Sequence, residues 1–184
     1  MAKREAVVLV LGDVGRSPRM QYHALSLANL GGVHVTLVGF GGEPCCPPVE
    51  MHSNITQVRL RPPDKKPSWL PFVVFGPFKV LGQILQLLWT LLWVIPRPTW
   101  LLVQNPPSIP TLFIAWLVCR LRGSSFIIDW HNFGYTILGL KLSAKHPFVV
   151  VSRWYESFFG ARGDGHLCVT RAMQQWLFQQ WGVR

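Results

Sequence analysis

The chain has 184 residues, enough for one domain with a full hydrophobic core. Hydrophobic residues make up 49% and charged residues only 14%, well under the share of a typical soluble domain, a deficit of charge that points to a membrane-associated protein or a part of a larger one. The net charge of +10 calls for an anionic partner, but the basic residues are scattered and no nucleic-acid motif is present, which favours a membrane surface or a phosphorylated ligand over nucleic acid.

Ala6 to Leu11 is an unbroken apolar run without an alternating polar face, which predicts a strand buried on both sides, as in a parallel sheet. Gly12-Asp13-Val14-Gly15-Arg16 is the loop that follows. Ser17 offers a helix N-cap and Pro18 fits the first helical position, where its missing N–H costs nothing. Met20, His23, Ala24, Leu27 and Leu30 then recur at helical spacing until Gly31-Gly32, and Val33 to Phe40 is a second strand. This unit opens a Rossmann-like sheet and sets a helix N-terminus at the carboxyl edge of its first strand, where backbone N–H groups suit an anionic or sugar ligand. Gly12-x-x-Gly15 has neither the dinucleotide spacing nor a following Walker lysine, so a plain tight turn stays an equal reading of the loop.

Residues 41–51 read as a Gly/Pro-rich loop, Ile55 to Leu60 as a strand nearer the sheet edge, and Arg61 to Pro67 as a basic proline-rich linker. Trp69 to Ile95 is the most hydrophobic segment, and Lys79, Gln83, Gln86 and Thr90 form one narrow polar stripe on it as a helix. Three readings stay open: a helix dipping into one leaflet, a buried core helix, and a full span, for which the 17 uncharged residues from Val80 to Pro96 are short. Trp89 and Trp93, one turn apart, suit a membrane interface.

Thr99 to Val103 is a further apolar run, and the prolines of Gln104-Asn105-Pro106-Pro107 end it. Ile109 to Leu121 reads as a helix, Ser125 to Asp129 as a strand, Pro147 to Phe159 as a helix, Gly165 to Thr170 as a strand and Arg171 to Trp181 as a last helix. About six strands alternating with helices predict an α/β fold with an open parallel sheet. Cys45, Cys46, Cys119 and Cys168 show neither zinc spacing nor a disulfide framework, which fits a reducing, cytosol-facing environment, and no cleavable signal peptide is expected.

Ligands of such a sheet bind outside the carboxyl ends of its strands. Four polar groups follow such ends: Gly12 to Arg16, Gln104 to Pro107, Asp129-Trp130-His131-Asn132, and Thr170-Arg171. The third is the sharpest, because a histidine flanked by a carboxylate and an amide is oriented, and its tautomer fixed, for proton transfer. The alternative there is a strand end whose Asp129 and Asn132 cap a turn. Arg16 and Arg19, near a helix start, suit a pyrophosphate or simply solvent. His23, His34, His52, His146 and His166 have no partners in spacing and read as structural or exposed.

GDVGRSPRMQYHALSLA, QNPPSIP, IIDWHNFGYTILGL, HPFVVVSRWYESFFG and HLCVTRAM, in that order, resemble the N-terminal half of the chitobiosyldiphosphodolichol beta-mannosyltransferase family, from about Ala6 to Trp181. The resemblance implies the acceptor-side, N-terminal domain of a GT-B glycosyltransferase. It also implies transfer of mannose from GDP-mannose to dolichyl-pyrophosphate-linked chitobiose, with inversion to a beta linkage, at the cytosolic face of the endoplasmic reticulum membrane. An inverting single displacement needs one base, for which His131 is the first candidate and Asp13 the second. Gly12, Gly15, Arg16, Arg19, Asn105, Asp129, Asn132 and Thr170 are the candidate substrate-binding residues. No metal or other cofactor is expected, GDP-mannose being a donor substrate. Members of the family begin with a hydrophobic anchor and carry most donor contacts in a second Rossmann-like domain. Neither has a counterpart here, so the expectation is that this chain alone does not transfer mannose. The competing class is a non-catalytic module that binds the acceptor lipid or a protein partner. A nucleic-acid-binding protein is a distant third, which predicts salt-sensitive binding to any duplex.

Overall fold

The apolar run near the start of the chain lies at the centre of the sheet. β1 (Arg4–Asp13) pairs in parallel with β2 (Val33–Phe40) on one side and β4 (Trp100–Asn105) on the other. β3 (Ile55–Leu60) lies outside β2, while β5 (Ser125–Trp130) and β6 (Gly165–Cys168) continue beyond β4. The result is a six-stranded, all-parallel sheet in the order β3-β2-β1-β4-β5-β6. The computed structural model describes residues 4–62 and 72–183.

Both faces are covered, which is why the central strands carry no polar side. Ala6, Val8 and Val10 pack with Met20, Ala24 and Ala28 of α1 (Pro18–Asn29) and Val49 of the short α2 (Pro47–Glu50). Val7, Leu9 and Leu11 point the other way, into the larger core built with α3 (Phe72–Trp89), α4 (Thr111–Arg122) and α7 (Arg171–Trp181). α6 (Pro147–Gly160) packs against α4, and α5 (Gly134–Leu142) packs against α6.

The elements follow the expectations with instructive departures. α1 starts at Pro18 as its spacing predicts, but the Ser17 hydroxyl does not cap it and instead donates to Gln104 Oε1 at 2.5 Å, tying the β1–α1 loop to the end of β4. β6 ends at Cys168 and not at Thr170, because Thr170 turns away to cap α7, its Oγ1 accepting from Met173 N at 3.1 Å. α2 falls within the expected loop at 41–51, and α5 occupies a stretch that shows no helical apolar period. α4 closes at Gly123, whose φ of 61° is left-handed.

The polar stripe of the apolar segment turns mostly toward the protein, with Lys79 at its start exposed. Residues 63–71, which include most of the expected linker and the start of this segment, lie outside the described residues. Over the rest, Thr90 is buried and Gln83 and Gln86 are half-buried, while Phe78, Leu81, Leu85, Trp89 and Trp93 are exposed. The Gln86 amide, oriented to satisfy both bonds, donates to Arg61 O at 3.1 Å and accepts from Arg61 N at 2.7 Å. After Trp89 the helix widens into a π turn, Thr90–Val94, and the Arg122 guanidinium donates to Leu91 O within it and, at 3.2 Å, to Ile95 O just after it. Pro77–Val94 is long and apolar enough to cross a membrane, and 17% of it is buried, through the side that carries Leu87 and Leu91 into the core.

Candidate active site

Because all six strands are parallel, their carboxyl ends share one edge, and one carboxylate organises it. Asp129 is the next-to-last residue of β5 and is fully buried. Arg19, in the first turn of α1, donates from Nε to Asp129 Oδ2 and from Nη2 to Oδ1, each at 2.8 Å. His23, one turn further along the same helix face, sets its Nε2 3.1 Å from Oδ2. His131 sets its Nε2 2.8 Å from that same oxygen. Burial pushes the Asp129 carboxyl up, but the hydrogen bonds from His131, His23 and Arg19 outweigh it and hold the group well below the usual carboxylate range. The Arg19 guanidinium moves up in turn, chiefly through its hydrogen bond to Asp129.

An ionised carboxylate only accepts, so the network assigns a proton to Nε2 of both imidazoles. In the neutral ring Nδ1 is then an acceptor, and neither Nδ1 has a hydrogen-bond partner among the described residues. The side chains of His131 and His23 are 20% and 25% exposed, so a substrate can reach them. His131 is further fixed by its backbone N–H, which donates to Asn105 O at 2.9 Å. A carboxylate-held imidazole with one open nitrogen is suited to take a proton from a hydroxyl, its developing charge balanced by the carboxylate behind it.

The other expected residues divide between a neighbouring loop and the scaffold. Asp13 Oδ1 accepts from Gly15 N at 3.0 Å and Oδ2 accepts from Glu43 N at 3.1 Å, so this carboxylate staples the loops after β1 and β2. Gly12 sits where the β1–β2 register shifts, between Val10 and Asp13. A Cβ on Gly15 would collide with the Glu43 carbonyl, so only glycine fits the approach of the two loops. The Arg16 side chain is exposed and makes no hydrogen bond or ion pair among the described residues. Asn105 is fully buried and faces the scaffold: its Nδ2 donates to Glu156 Oε1 at 2.6 Å and to Asn132 O at 3.3 Å. Asn132 is exposed beside it, and Thr170 is the cap of α7.

Two residues of the site carry weak signals in the sequence. His23, expected to be without a partner, shares a helix face with Arg19, and that four-residue spacing is its one signal. Glu156 is the only acidic residue between Asp129 and Asp164. It is fully buried on α6, where Oε1 accepts from Gly134 N at 2.9 Å and Oε2 from Tyr135 N at 3.0 Å, so it caps α5 and fixes the segment after His131. Burial pushes its carboxyl up against these donors. A pocket of about 340 Å³ opens between β6 and α7, lined by Cys168, Thr170, Arg171 and Gln174 among others. The β5–β6 register sets Leu167 opposite Asp129 and Cys168 opposite Trp130, which places the pocket beside the Asp129 cluster; burial pushes the Cys168 thiol up, and Asp129 adds to that shift.

The family described as glycosyl transferase 4-like domain matches residues 15–184. Chitobiosyldiphosphodolichol beta-mannosyltransferase of Homo sapiens is 43% identical over 189 residues, covering 100% of this chain and 39% of that protein. The protein of the same name from Dictyostelium discoideum is 40% identical, with 96% and 38% covered. The Arabidopsis thaliana protein named UDP-glycosyltransferase TURAN is 44% identical, with 100% and 40% covered. The chain thus spans about two fifths of the length of these relatives. The solved structure of Phytolacca americana UGT2 complexed with UDP-2fluoro-glucose and pterostilbene matches at a TM-score of 0.59 and 11% identity, over 98% of this chain and 51% of that one. That likeness supports the GT-B, Rossmann-like fold alone. Sequence motifs, sheet order and relatives agree: the chain belongs to the glycosyl transferase 4-like family and is similar along its whole length to chitobiosyldiphosphodolichol beta-mannosyltransferases.

Proposed function

We propose that these 184 residues form the acceptor-side domain for transfer of mannose from GDP-mannose to dolichyl-pyrophosphate-linked chitobiose, with inversion to a beta linkage, at the cytosolic face of the endoplasmic reticulum membrane. The observation that carries this reading is the buried Asp129 carboxylate, whose two imidazole partners are both left with an open nitrogen at the ligand-binding edge of the sheet. In the transfer, the acceptor hydroxyl oxygen forms a bond to the anomeric carbon of mannose as the bond from that carbon to the GDP phosphate oxygen breaks. The hydroxyl proton passes to His131 Nδ1. Asp129 stays ionised throughout, because its three donors hold the carboxyl far below the range in which it would take that proton. Arg16, exposed beside the start of α1 and free of protein partners among the described residues, is the arginine that would meet the acceptor pyrophosphate, whereas Arg19 is already committed to Asp129. Asp13 is tied to two backbone amides, so His131 is preferred as the base.

By this reading the donor contacts lie in the remaining length of the relatives, and this chain alone binds acceptor without transferring mannose. The His131→Gln variant separates the catalytic reading from a purely acceptor-binding module. The amide it introduces can still donate to Asp129 but cannot take a proton at the position of Nδ1. In a chimera joining this chain to the remaining part of the human relative, His131→Gln is expected to lower transfer by about 100-fold or more while acceptor binding holds. Unchanged turnover would rule His131 out as the base.

A further inference from the structure

α3 is inverted relative to a solvated helix, with its glutamines turned inward and Phe78, Leu81, Leu85, Trp89 and Trp93 outward. The α5–α6 hairpin repeats the pattern on the other flank of α4. α3 packs on α4 and α4 on α6, and all three lie on the face of the sheet that carries Leu9 and Val103. On the hairpin, Leu140 is 89% exposed, Phe148 64%, Val151 57% and Trp154 59%, and Val151, Trp154 and Phe158 recur at the spacing of one outward helix stripe. The charge around this stripe has one sign. Lys141, Lys145 and Arg153 are exposed, and Glu156, the only acidic residue from 130 to 163, is fully buried beneath α5. Arg153 lies over the Tyr135 ring and Arg162 over the Phe158 ring, which keeps basic heads beside the apolar stripe.

We propose that the α5–α6 hairpin is a second membrane contact, which meets the surface of an anionic bilayer together with α3. Leu140, Phe148, Val151 and Trp154 enter the boundary between headgroups and acyl chains, and Lys141, Lys145 and Arg153 meet lipid phosphates. A lipid surface fits better than a protein partner because the exposed charge is all positive and two separate apolar patches on one layer of helices are both met by a plane. The contact also fixes the posture of α3: with the hairpin on the same bilayer surface, α3 lies in one leaflet and does not span. The inference deepens the reading of a membrane-borne acceptor and rests on it.

Flotation of the purified 184-residue chain tests it. The probes are vesicles of phosphatidylcholine alone and of phosphatidylcholine with about a third phosphatidylserine, without acceptor lipid or donor, so the outcome is independent of the acceptor site. The chain is expected to float with the anionic vesicles. Lys141→Glu with Lys145→Glu is expected to lower that partition about tenfold and erase the preference for phosphatidylserine. Leu140→Ser, Val151→Ser and Trp154→Ser together are expected to lower it by about tenfold or more on both vesicles. These side chains are exposed, so circular dichroism of the variants should match the parent chain. The proposal is overturned if the hairpin variants float like the parent while Leu81→Ser, Leu85→Ser and Trp89→Ser in α3 abolish flotation. It is equally overturned if the chain sediments as a dimer that the hairpin variants dissociate, which would make the stripe a protein interface.

Discussion

Asp129 holds together groups that come from two distant parts of the chain, and its removal therefore costs stability as well as chemistry. Asp129→Ala leaves Arg19 and two imidazoles without their anion. The expected loss is about 2–4 kcal/mol in chemical denaturation, below that of a fully enclosed pair because Arg19 is 38% exposed and regains water. The pH dependence follows from the direction of the shift. A carboxyl held below its ordinary 3.8 adds stability that is complete above that pH and is lost as pH falls below it. Asp129→Asn should therefore flatten the acid limb of a plot of melting temperature against pH, and an unchanged limb would contradict the network. His166 adds a second, milder limb. Its Nδ1 accepts from Trp130 Nε1 at 3.1 Å and its Nε2 donates to Gly163 O at 3.2 Å, while burial holds the ring below its ordinary 6.5. Its contribution is complete above 6.5 and is lost as pH falls below that value, a slope that His166→Gln should remove. At this scale the pairing of His131 with Asp129 was legible because the two are neighbours in the chain. His23 was not legible, since its partner lies 106 residues away and only the packing of α1 beside β5 brings them together.

Among the elements, α5 depends on a neighbour more than on its own residues. It buries no side chain fully, and two glycines lie in it, so its N-terminal amides are held by Glu156 of α6 and not by a cap of its own. Glu156→Ala leaves those amides without their acceptor and the Asn105 amide with only its bond to Asn132 O, and is expected to cost about 3 kcal/mol, with faster amide exchange along α5. Glu156→Gln is milder. The Glu156 carboxyl sits above its ordinary 4.5, so its contribution is complete below that pH and declines as pH rises through the raised value. The stability gap between the parent chain and Glu156→Gln should narrow on that rise. β1, α1 and β2 could be read directly because an unbroken apolar run and a helical apolar period each match what those elements bury. α5 lacks such a period because it is a satellite of α6, and the orientation of α3 stayed open because a polar stripe marks only that one side differs, not which side meets the protein.

For the whole molecule, a parallel sheet gathers its ligand-facing loops on one edge, while α3, α4 and α6 line one face of it. The family and the sheet were legible from motifs in order and alternating elements, whereas the exposed apolar face emerged only once the helices were placed. The proposed membrane-borne acceptor would suit both features: its lipid tail would stay with the apolar face while its pyrophosphate and sugars reach the strand ends. The most direct test of an acceptor site in this chain is equilibrium binding, in detergent, of a lipid-pyrophosphate-chitobiose, compared with the same lipid lacking the sugar or the pyrophosphate. The account predicts tighter binding of the complete acceptor, with Arg16→Ala lowering it about tenfold and His131→Gln leaving it within about threefold. Equal binding of all three lipids, unaffected by Arg16→Ala, would contradict it.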